Sequence, residues 1–375
     1  MERTAWGEAI VFRLRPRQLV QTDVERVGFW ALLALSACAT AMAVAVARTL
    51  HVRADALLLF GAWCASLALL LRWAPHWWHH GAEVWVTDRR VIWKRGSFAR
   101  SIERAGISFA RIHWYPSRKA GDLTLVRDVP TGALGRRLTL TLRGVERPDL
   151  VWDVIRGRDP SSLPRPRGGS RPLGQRLEAD ERVVWSERPL TSWRRFLPQT
   201  SRDRVASLLG LAAFAAMARI TVAYVPAARK VIAGGVDPYS LGFLALIVAM
   251  ACSSILLLGV GASLLWTAVV RPGLLLPSTR YWITDRRVVI AQGRDELQLD
   301  RSRIVDVIDA PASGVGECRD LFLILDGPRA RAVALQGAFG EKAGPRELRP
   351  VLRNVLDPEA VLRVLGKGWA QAGAA

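Results

Sequence analysis

The chain alternates between long uncharged apolar runs and regions where apolar and polar residues change places every one or two positions. Val27 to Ala47 holds 21 residues without a charge, enough for a helix to cross a bilayer. Ala56 to Leu71 is a slightly shorter run, and Leu241 to Val270 is longer than one crossing needs. Val205 to Val225 is a weaker candidate because Arg219 interrupts it. The pattern predicts four membrane helices in two hairpins, and the Ala- and Ser-rich first span should allow close helix packing.

Short runs rich in β-branched and aromatic residues follow each hairpin, and Gly, Pro and Asp separate them. This pattern predicts a small antiparallel sheet or barrel after each hairpin. A helix should close each region, over Asp149 to Ile155 and over Pro358 to Leu365, where Asp357 is the N-cap and Gly366 stops the helix. The predicted strands are Glu83–Thr87, Val91–Lys94, Ile107–Ile112, Leu123–Val126 and Leu138–Leu142, then Trp282–Thr284, Val288–Ala291, Ile304–Ile308, Leu321–Leu325 and Ala330–Leu335.

One phrase of thirteen residues occurs twice in these regions. It runs from Val84 to Gly96 and again from Tyr281 to Gly293, with seven identical positions and an offset of 197. Downstream at the same offset, Ile102-Glu103-Arg104 matches Leu299-Asp300-Arg301. The chain is therefore one module in two copies.

The opening of each copy is repeated as well. Glu8 and Phe12 match Glu181 and Trp185 at an offset of 173, as does Arg15-Pro16 with Arg188-Pro189. The two offsets differ by 24 residues, so the second copy has a longer apolar part.

These observations predict an α+β membrane protein in which each of two transmembrane helical hairpins precedes a β-rich domain. The region between the copies is rich in Pro, Gly and Ser and is typical of a flexible linker. The predicted organisation is an N-terminal segment (1–26), hairpin 1 (27–73), β-domain 1 (82–157), the linker (158–178), an interfacial segment (179–204), hairpin 2 (205–270) and β-domain 2 with its C-terminal helix (279–368).

The net charge of +20 favours contact with anionic lipid over nucleic acid in a chain tied to a membrane. Of the 53 basic residues only five are lysine, and the arginines are spread along the chain, so composition bias is the simpler explanation. No recognisable nucleic-acid-binding motif accompanies them, and we expect no nucleic acid partner. Arginines flank the outer ends of both hairpins, which predicts that both β-domains face the cytoplasm.

The repeated phrase has the pattern of a β-hairpin. Asp88 and Asp285 are the expected turn residues, with side chains that accept hydrogen bonds from the backbone two residues on. Gly96 and Gly293 allow a second tight turn. The arginine pairs are expected at or near the hairpin tip, outside any apolar core; they are Arg89 and Arg90, and Arg286 and Arg287.

An apolar or aromatic residue followed by Ile or Val, Thr, Asp, a variable residue, Arg and a strand ending at Gly resembles the signature of bacterial pleckstrin-homology-like (PH-like) domains. The Glu-to-Arg-Pro opening before a membrane hairpin is similar to membrane-anchored members of that family. The first copy departs from the pattern at Val84, where Tyr281 has the usual aromatic residue. The resemblance implies a bent antiparallel sheet closed by a helix in each copy, without implying any chemistry.

Arg89, Arg90, Arg286 and Arg287 are the candidate contacts to lipid headgroups. The first hypothesis is that each doubled arginine binds anionic phosphates at the membrane surface. The alternative, which we favour, is that one arginine of each pair forms a structural ion pair, with Glu103 or Asp300 as its partner.

We expect no enzymatic activity, no cofactor and no metal. His76 and His80 have i, i+4 spacing, but Pro75 interrupts that helix and no carboxylate or thiolate lies nearby in the sequence. Asp88 and Asp285 have the pattern of turn residues rather than of a catalytic pair.

The sequence thus predicts a multi-pass protein of the bacterial inner membrane that presents two cytoplasmic PH-like domains as an assembly or scaffolding platform. Its partners would be the lipid bilayer, anionic phospholipid, other membrane proteins or further copies of itself. Two alternatives stay open, an anionic-lipid-binding module and a lipid-handling or transport protein whose path runs past Arg219.

Overall fold

The computed structural model describes most of the chain as two compact units. One contains residues 1–20, 79–196 and 272–375 and holds all the strands, and the other contains residues 21–78 and 197–271 and holds the long helices. The residues described are 7–16, 21–50, 53–79, 81–116, 119–128, 137–159, 176–177, 180–191, 196–198, 201–234, 241–312, 318–326 and 348–366.

Seven α-helices occur in the described residues, and four apolar stretches among them are long enough to cross a membrane. The candidate spans are Glu25–Val44, Asp55–His79, Asp203–Ala223 and Ser254–Ser278. The chain is therefore compatible with a four-span membrane protein, as predicted. The helices are α1 (Asp23–Leu50), α2 (Asp55–His79), α3 (Pro148–Ile155), α4 (Ser201–Ala233), α5 (Leu241–Leu265), α6 (Arg271–Leu275) and α7 (Pro358–Leu365), with a π-helical turn at Trp266–Val270.

Small residues bring the apolar helices close together. A Cβ placed on Gly61 of α2 would lie 2.9 Å from the Thr40 hydroxyl and 3.3 Å from the Ser36 carbonyl oxygen on α1. Gly210 of α4 and Gly261 of α5 contact each other in the same way, each 3.1 Å from the other's carbonyl oxygen by this measure. The expected close packing of the Ala- and Ser-rich first span is confirmed, since backbones without large side chains approach closely in membranes.

One helix, α2, differs from the prediction, whereas α4 agrees with it. Pro75 does not end α2, which continues to His79. The missing amide hydrogen of a proline costs one hydrogen bond, and the neighbouring turns hold the helix through it. Arg219 is exposed on α4 and lies four residues before the end of the span at Ala223.

Fourteen described strands form three antiparallel sheets, and no barrel closes in this part of the chain. The sheets have the orders β1-β2-β3-β4, β7-β6-β5-β11-β10-β9-β8 and β12-β13-β14. The strands are β1 (Ile10–Leu14), β2 (Glu83–Thr87), β3 (Arg90–Arg95), β4 (Phe98–Glu103), β5 (Phe109–Trp114), β6 (Ala120–Asp128), β7 (Arg137–Glu146), β8 (Val183–Glu187), β9 (Thr279–Thr284), β10 (Arg287–Gln292), β11 (Asp295–Asp300), β12 (Ile304–Pro311), β13 (Arg319–Leu325) and β14 (Val351–Val355).

The two copies share a sheet. Strand β5 of the first copy pairs antiparallel with β11 of the second, from Ala110 opposite Gln298 to His113 opposite Asp295. The apolar core of the second copy also includes Phe109 from β5 and Val126 from β6. The copies are therefore joined both by backbone hydrogen bonds and by a common core.

The strand predictions hold for the repeated phrase, and five other strands were missed. The bounds of β2 and α7 agree with the prediction, and Asp357 accepts a hydrogen bond from the Ala360 amide as the N-cap. Strands β1, β4, β8, β11 and β14 were not predicted. Strand β1 lies in the N-terminal segment 1–26, and β8 lies in the segment 179–204, for which the sequence predicts an interfacial segment. The strand Ala330–Leu335 and the linker, apart from 158–159 and 176–177, lie outside the described residues.

Candidate functional site

The repeated hairpin is closed by its threonine. In the first copy the Thr87 hydroxyl accepts hydrogen bonds from the amides of Arg89 at 3.3 Å and Arg90 at 2.8 Å. In the second copy Thr284 accepts from the two equivalent arginine amides, at 3.2 and 2.8 Å. A threonine hydroxyl that bonds the backbone two and three residues on stabilises a tight turn, and this was the role expected of the aspartate.

The aspartates lie at the exposed end of the turn. Asp88 and Asp285 are both exposed. The Asp285 carboxylate accepts from the amide of Arg182, the residue before β8, at 3.1 Å. Gly96 and Gly293 have φ of +56° and +62°, the left-handed conformation that the next tight turn requires.

The two arginines of each pair have different environments. Arg89 and Arg286 are exposed in the turns, whereas Arg90 and Arg287 begin the return strands. Arg287 is buried, with only 3% of its side chain exposed, so its expected position outside the core is wrong. Arg90 is 41% exposed.

Each strand arginine binds the glutamate that opens its copy. Arg90 Nε donates to Glu8 Oε1 at 2.8 Å. Arg287 makes a two-pronged contact with Glu181, at 2.8 Å from Nε to Oε1 and 2.8 Å from Nη2 to Oε2. A bidentate arginine–carboxylate pair is among the stronger polar contacts in proteins.

The same glutamate also holds the turn threonine. The Thr87 hydroxyl donates to Glu8 Oε2 at 2.8 Å, and the Thr284 hydroxyl donates to the second glutamate, Glu181, at 2.7 Å. Glutamate, threonine and arginine thus form one network in each copy, which we call the opening network. It ties the residue just before the first strand of a copy to the hairpin that follows the apolar helices.

Each copy contains a structural ion pair, as expected, but the carboxylate partner is Glu8 or Glu181 rather than Glu103 or Asp300. Glu103 lies 3.6 Å from Arg127, and Asp300 pairs with Arg156 at 2.5 Å. The sequence does contain a signal for this partner, because an equivalent glutamate, Glu8 or Glu181, precedes the repeated phrase in each copy.

The opening network of the second copy extends to the seam between the copies, which we define as the pairing of β5 with β11 and the side chains over it. Arg287 also donates to Gln298 Oε1 at 3.0 Å and to the Arg176 carbonyl at 3.1 Å. Arg176 in turn makes a bidentate pair with Glu296, at 2.9 Å for both contacts. Buried charges are stable only when paired in this way, since desolvation of an unpaired charge costs several kcal/mol.

Helix α3 of the first copy adds a carboxylate to the same cluster. Asp153 accepts from Arg158 at 2.9 Å, and its other oxygen lies 3.6 Å from Arg287 Nη1 without a hydrogen-bond partner among the described residues. Burial raises the pKa of Asp153 to about 6, against the opposing effect of Arg158 and Arg287. The charge of this acid at the seam therefore changes near pH 6.

A second repeated arginine closes each copy on its helix. Arg104 donates to the carbonyls of Val154 at 3.1 Å and Ile155 at 2.9 Å at the end of α3. Arg301 donates to the Val364 carbonyl at the end of α7. The last carbonyls of a helix have no partner within the helix, and a cation satisfies them and favours the helix dipole.

The described residues contain no group of three or more His, Cys, Asp and Glu side chains arranged to hold a metal ion. Polar residues shared by the copies serve instead in the opening networks and the helix caps. Comparison with known proteins adds no assignment, because the chain matches no family model, no curated protein and no solved structure.

Proposed function

We propose that this chain is an integral membrane protein whose helices carry two PH-like β-domains, and that the joined domains act as an assembly platform. The observation that carries the proposal is the seam. Strands β5 and β11 join the copies in one seven-stranded sheet. A unit joined by strand pairing and buried ion pairs presents its surfaces in constant relative positions, which is what a platform needs.

The order of elements supports the PH-like part of the proposal. Both copies have four strands, then three strands, then a helix whose C-terminal carbonyls bind an arginine from the turn after the fourth strand. The described sheets remain open, so the resemblance lies in this order of strands and in the closing helix.

The use of the shared polar residues supports a role other than catalysis. Glu8, Thr87 and Arg90 bind one another, as do their equivalents in the second copy. Residues that saturate one another's hydrogen bonds stabilise the fold and are not free to act on a substrate.

Photo-crosslinking in native membranes tests the platform. A photoreactive residue at Phe98, which is exposed on β4, should capture protein. The same residue at Trp30, exposed on an apolar span, is the matched control and should capture mainly lipid. Capture of lipid alone from both positions would contradict the platform.

Cysteine labelling tests the proposed cytoplasmic position of the β-domains. Asp88 and Arg53 are both exposed, and the charge distribution assigns them to opposite sides of the inner membrane. In intact spheroplasts an impermeant maleimide should label R53C, and it should label D88C only after lysis. Labelling of D88C from outside would reverse the proposed orientation.

Binding of anionic lipid is the second candidate function, and the exposure of Arg89 and Arg286 favours it. The neighbouring arginines, Arg90 and Arg287, are bound by carboxylates of the protein and are left unchanged in the test. The R89A/R286A variant, purified in mild detergent, should retain less anionic phospholipid per chain than the wild-type protein. An unchanged lipid content, measured by mass spectrometry of extracted lipid, would remove this function.

A further inference from the structure

The offset of 197 makes the strands of the two copies equivalent. Strand β4 of the first copy corresponds to β11 of the second, and β5 corresponds to residues 306–311 of β12. The seam therefore pairs the fifth strand of one copy with the fourth strand of the next copy. Such an interface joins two different surfaces, so the same contact can recur at both ends of the pair.

Among the described residues, one strand of each type has no hydrogen-bonded strand on its outer side. Strand β4 is an edge of the first sheet, and β12 is an edge of the three-stranded sheet. A sheet edge presents unpaired backbone amides and carbonyls that can bind another strand. The molecule thus carries, at open edges, the same two strand types that pair at its seam.

Burial along these strands agrees with missing partners. Five of the six residues of β4 are exposed, and Phe98 is 46% exposed, whereas the four central residues of the equivalent β11 are buried. Strand β5 is mostly buried, whereas residues 306–310 of β12 are partly exposed and Pro311 is exposed. In each case the strand at the seam is more buried than its equivalent.

We propose that β12 of one molecule pairs with β4 of a second copy of this chain, in the register of the seam, so that the molecules assemble head to tail. The inference rests on the proposed platform function and names a further copy as its partner. Repetition closes into a ring or extends as a line, depending on the rotation between successive molecules.

The seam gives the register of this contact. His113 lies opposite Asp295 and Ala110 opposite Gln298 within the molecule. The offset then places Ala310 opposite Phe98 and Val307 opposite Ser101 between molecules. Pro311 follows at the end of the pairing, where its lack of an amide hydrogen limits the ladder to the preceding residues.

The side chains suit an edge that must also be stable in water. Arg100 of β4 takes the position that the buried Leu297 has in β11. In the proposed register Arg100 lies opposite Ile308 and diagonal to Asp306, a distance over which opposite charges attract. A charge on an edge strand also suppresses indiscriminate pairing, so this contact is weaker and more selective than the seam.

Disulfide crosslinking between two differently tagged chains tests the pairing. In a background with the four native cysteines replaced by alanine, one chain carries F98C and the other A310C, and isolated membranes are oxidised. We expect a crosslinked dimer that contains both tags. The variant H113C/D295C has the equivalent positions at the seam and should crosslink within one chain, which reports that the seam has folded.

Strand β8 supplies the matched control, because it is also an edge and Val184 is exposed on it. F98C with V184C should give no dimer above the level of either single variant. If H113C/D295C crosslinks while F98C with A310C gives no mixed dimer, or no more than F98C with V184C, the inference is overturned. If Phe98 then captures a different protein in the photo-crosslinking test, the platform function holds with that protein as the partner, and only the head-to-tail assembly is wrong.

Discussion

Glu8 and Glu181 bind equivalent arginines that differ in burial. Arg287 is 3% exposed and bound by both oxygens of Glu181, whereas Arg90 is 41% exposed and bound by one oxygen of Glu8. Glu181→Gln removes the bidentate partner of a buried guanidinium and leaves Asp153, 3.6 Å away, as its nearby carboxylate, which we expect to cost about 3–5 kcal/mol of unfolding free energy. Glu8→Gln should cost about 1 kcal/mol because water reaches Arg90.

Thermal unfolding of the full chain in detergent measures this difference. The isosteric Gln retains an acceptor for the threonine hydroxyl in both variants, so the comparison isolates the charge. Equal losses for the two variants would show that burial of Arg287 does not set the strength of the pair.

Asp153 predicts a pH dependence at the seam. Its pKa is raised to about 6 by burial, from an ordinary value near 3.8. A carboxyl with a higher pKa in the folded state is favoured there in its protonated form. Its contribution to stability is therefore present below about pH 4 and is lost as pH rises to about 6, by an amount on the order of 2–3 kcal/mol.

Asp153→Asn removes this titration. Unfolding temperatures measured from pH 4 to pH 7 should fall less steeply with rising pH for D153N than for the wild-type protein. The pKa of Glu187 and of Asp320 is also raised by burial, so the wild-type slope contains their contributions and only the difference belongs to Asp153. Parallel curves for the two proteins would place the titration elsewhere.

At this scale the sequence predicts that one arginine of each pair is structural, and it does not predict which residue binds it. Glu8 lies 82 positions before Arg90, and the helices α1 and α2 separate them in the chain. Spacing rules for helices and strands do not reach that far, since they describe neighbours within one element. The second copy offers the only sequence clue, because the same glutamate recurs there.

Among the elements, α4 and α5 meet through glycines that leave no room for a side chain. A Cβ on Gly261 would lie 3.1 Å from the Gly210 carbonyl oxygen and 3.1 Å from the Phe214 ring, whereas a Cβ on Gly259 would have nothing within 4 Å. Gly→Ala favours a helix by about 1 kcal/mol at either position. We expect G259A to be neutral or stabilising and G261A to lower the unfolding temperature relative to it, as measured in detergent.

G261L provides the stronger version of the same change and should lower the unfolding temperature further. Because G259A carries the same gain in helix propensity, a difference between the two alanine variants reports packing alone. If G261A and G259A unfold at the same temperature, the helices do not depend on this contact.

One strand that sequence patterns miss, β11, also pairs with a strand far away in the chain, β5. Strand β11 reads as polar, yet Glu296 and Gln298 are buried because Arg176 and Arg287 bind them. Hydrophobic alternation identifies a strand with one apolar and one solvated face, and it fails where the second face is covered by ion pairs. The apolar helices and the repeated hairpin follow local patterns and are therefore predicted well.

In the whole β-rich unit, repetition correctly predicts two copies and gives no indication that they share a sheet. The seam depends on pairing between β5 and β11, which lie about 180 residues apart in the chain, as His113 and Asp295 illustrate. Two domains drawn as independent modules on a flexible linker would unfold separately. A common core that includes Phe109 and Val126 makes the unfolding of one copy expose apolar surface of the other.

Cooperative unfolding is the consequence that can be measured. Leu125 lies in the core of the first copy and Leu323 in that of the second, and both are buried. A buried Leu→Ala change costs about 2–5 kcal/mol through lost burial and the cavity that it leaves. If the seam couples the copies, L125A and L323A should each shift one common transition of the β-rich unit, followed by tryptophan fluorescence on heating. Two transitions, each sensitive to only one of the substitutions, would show that strand pairing across the seam does not make the copies one folding unit.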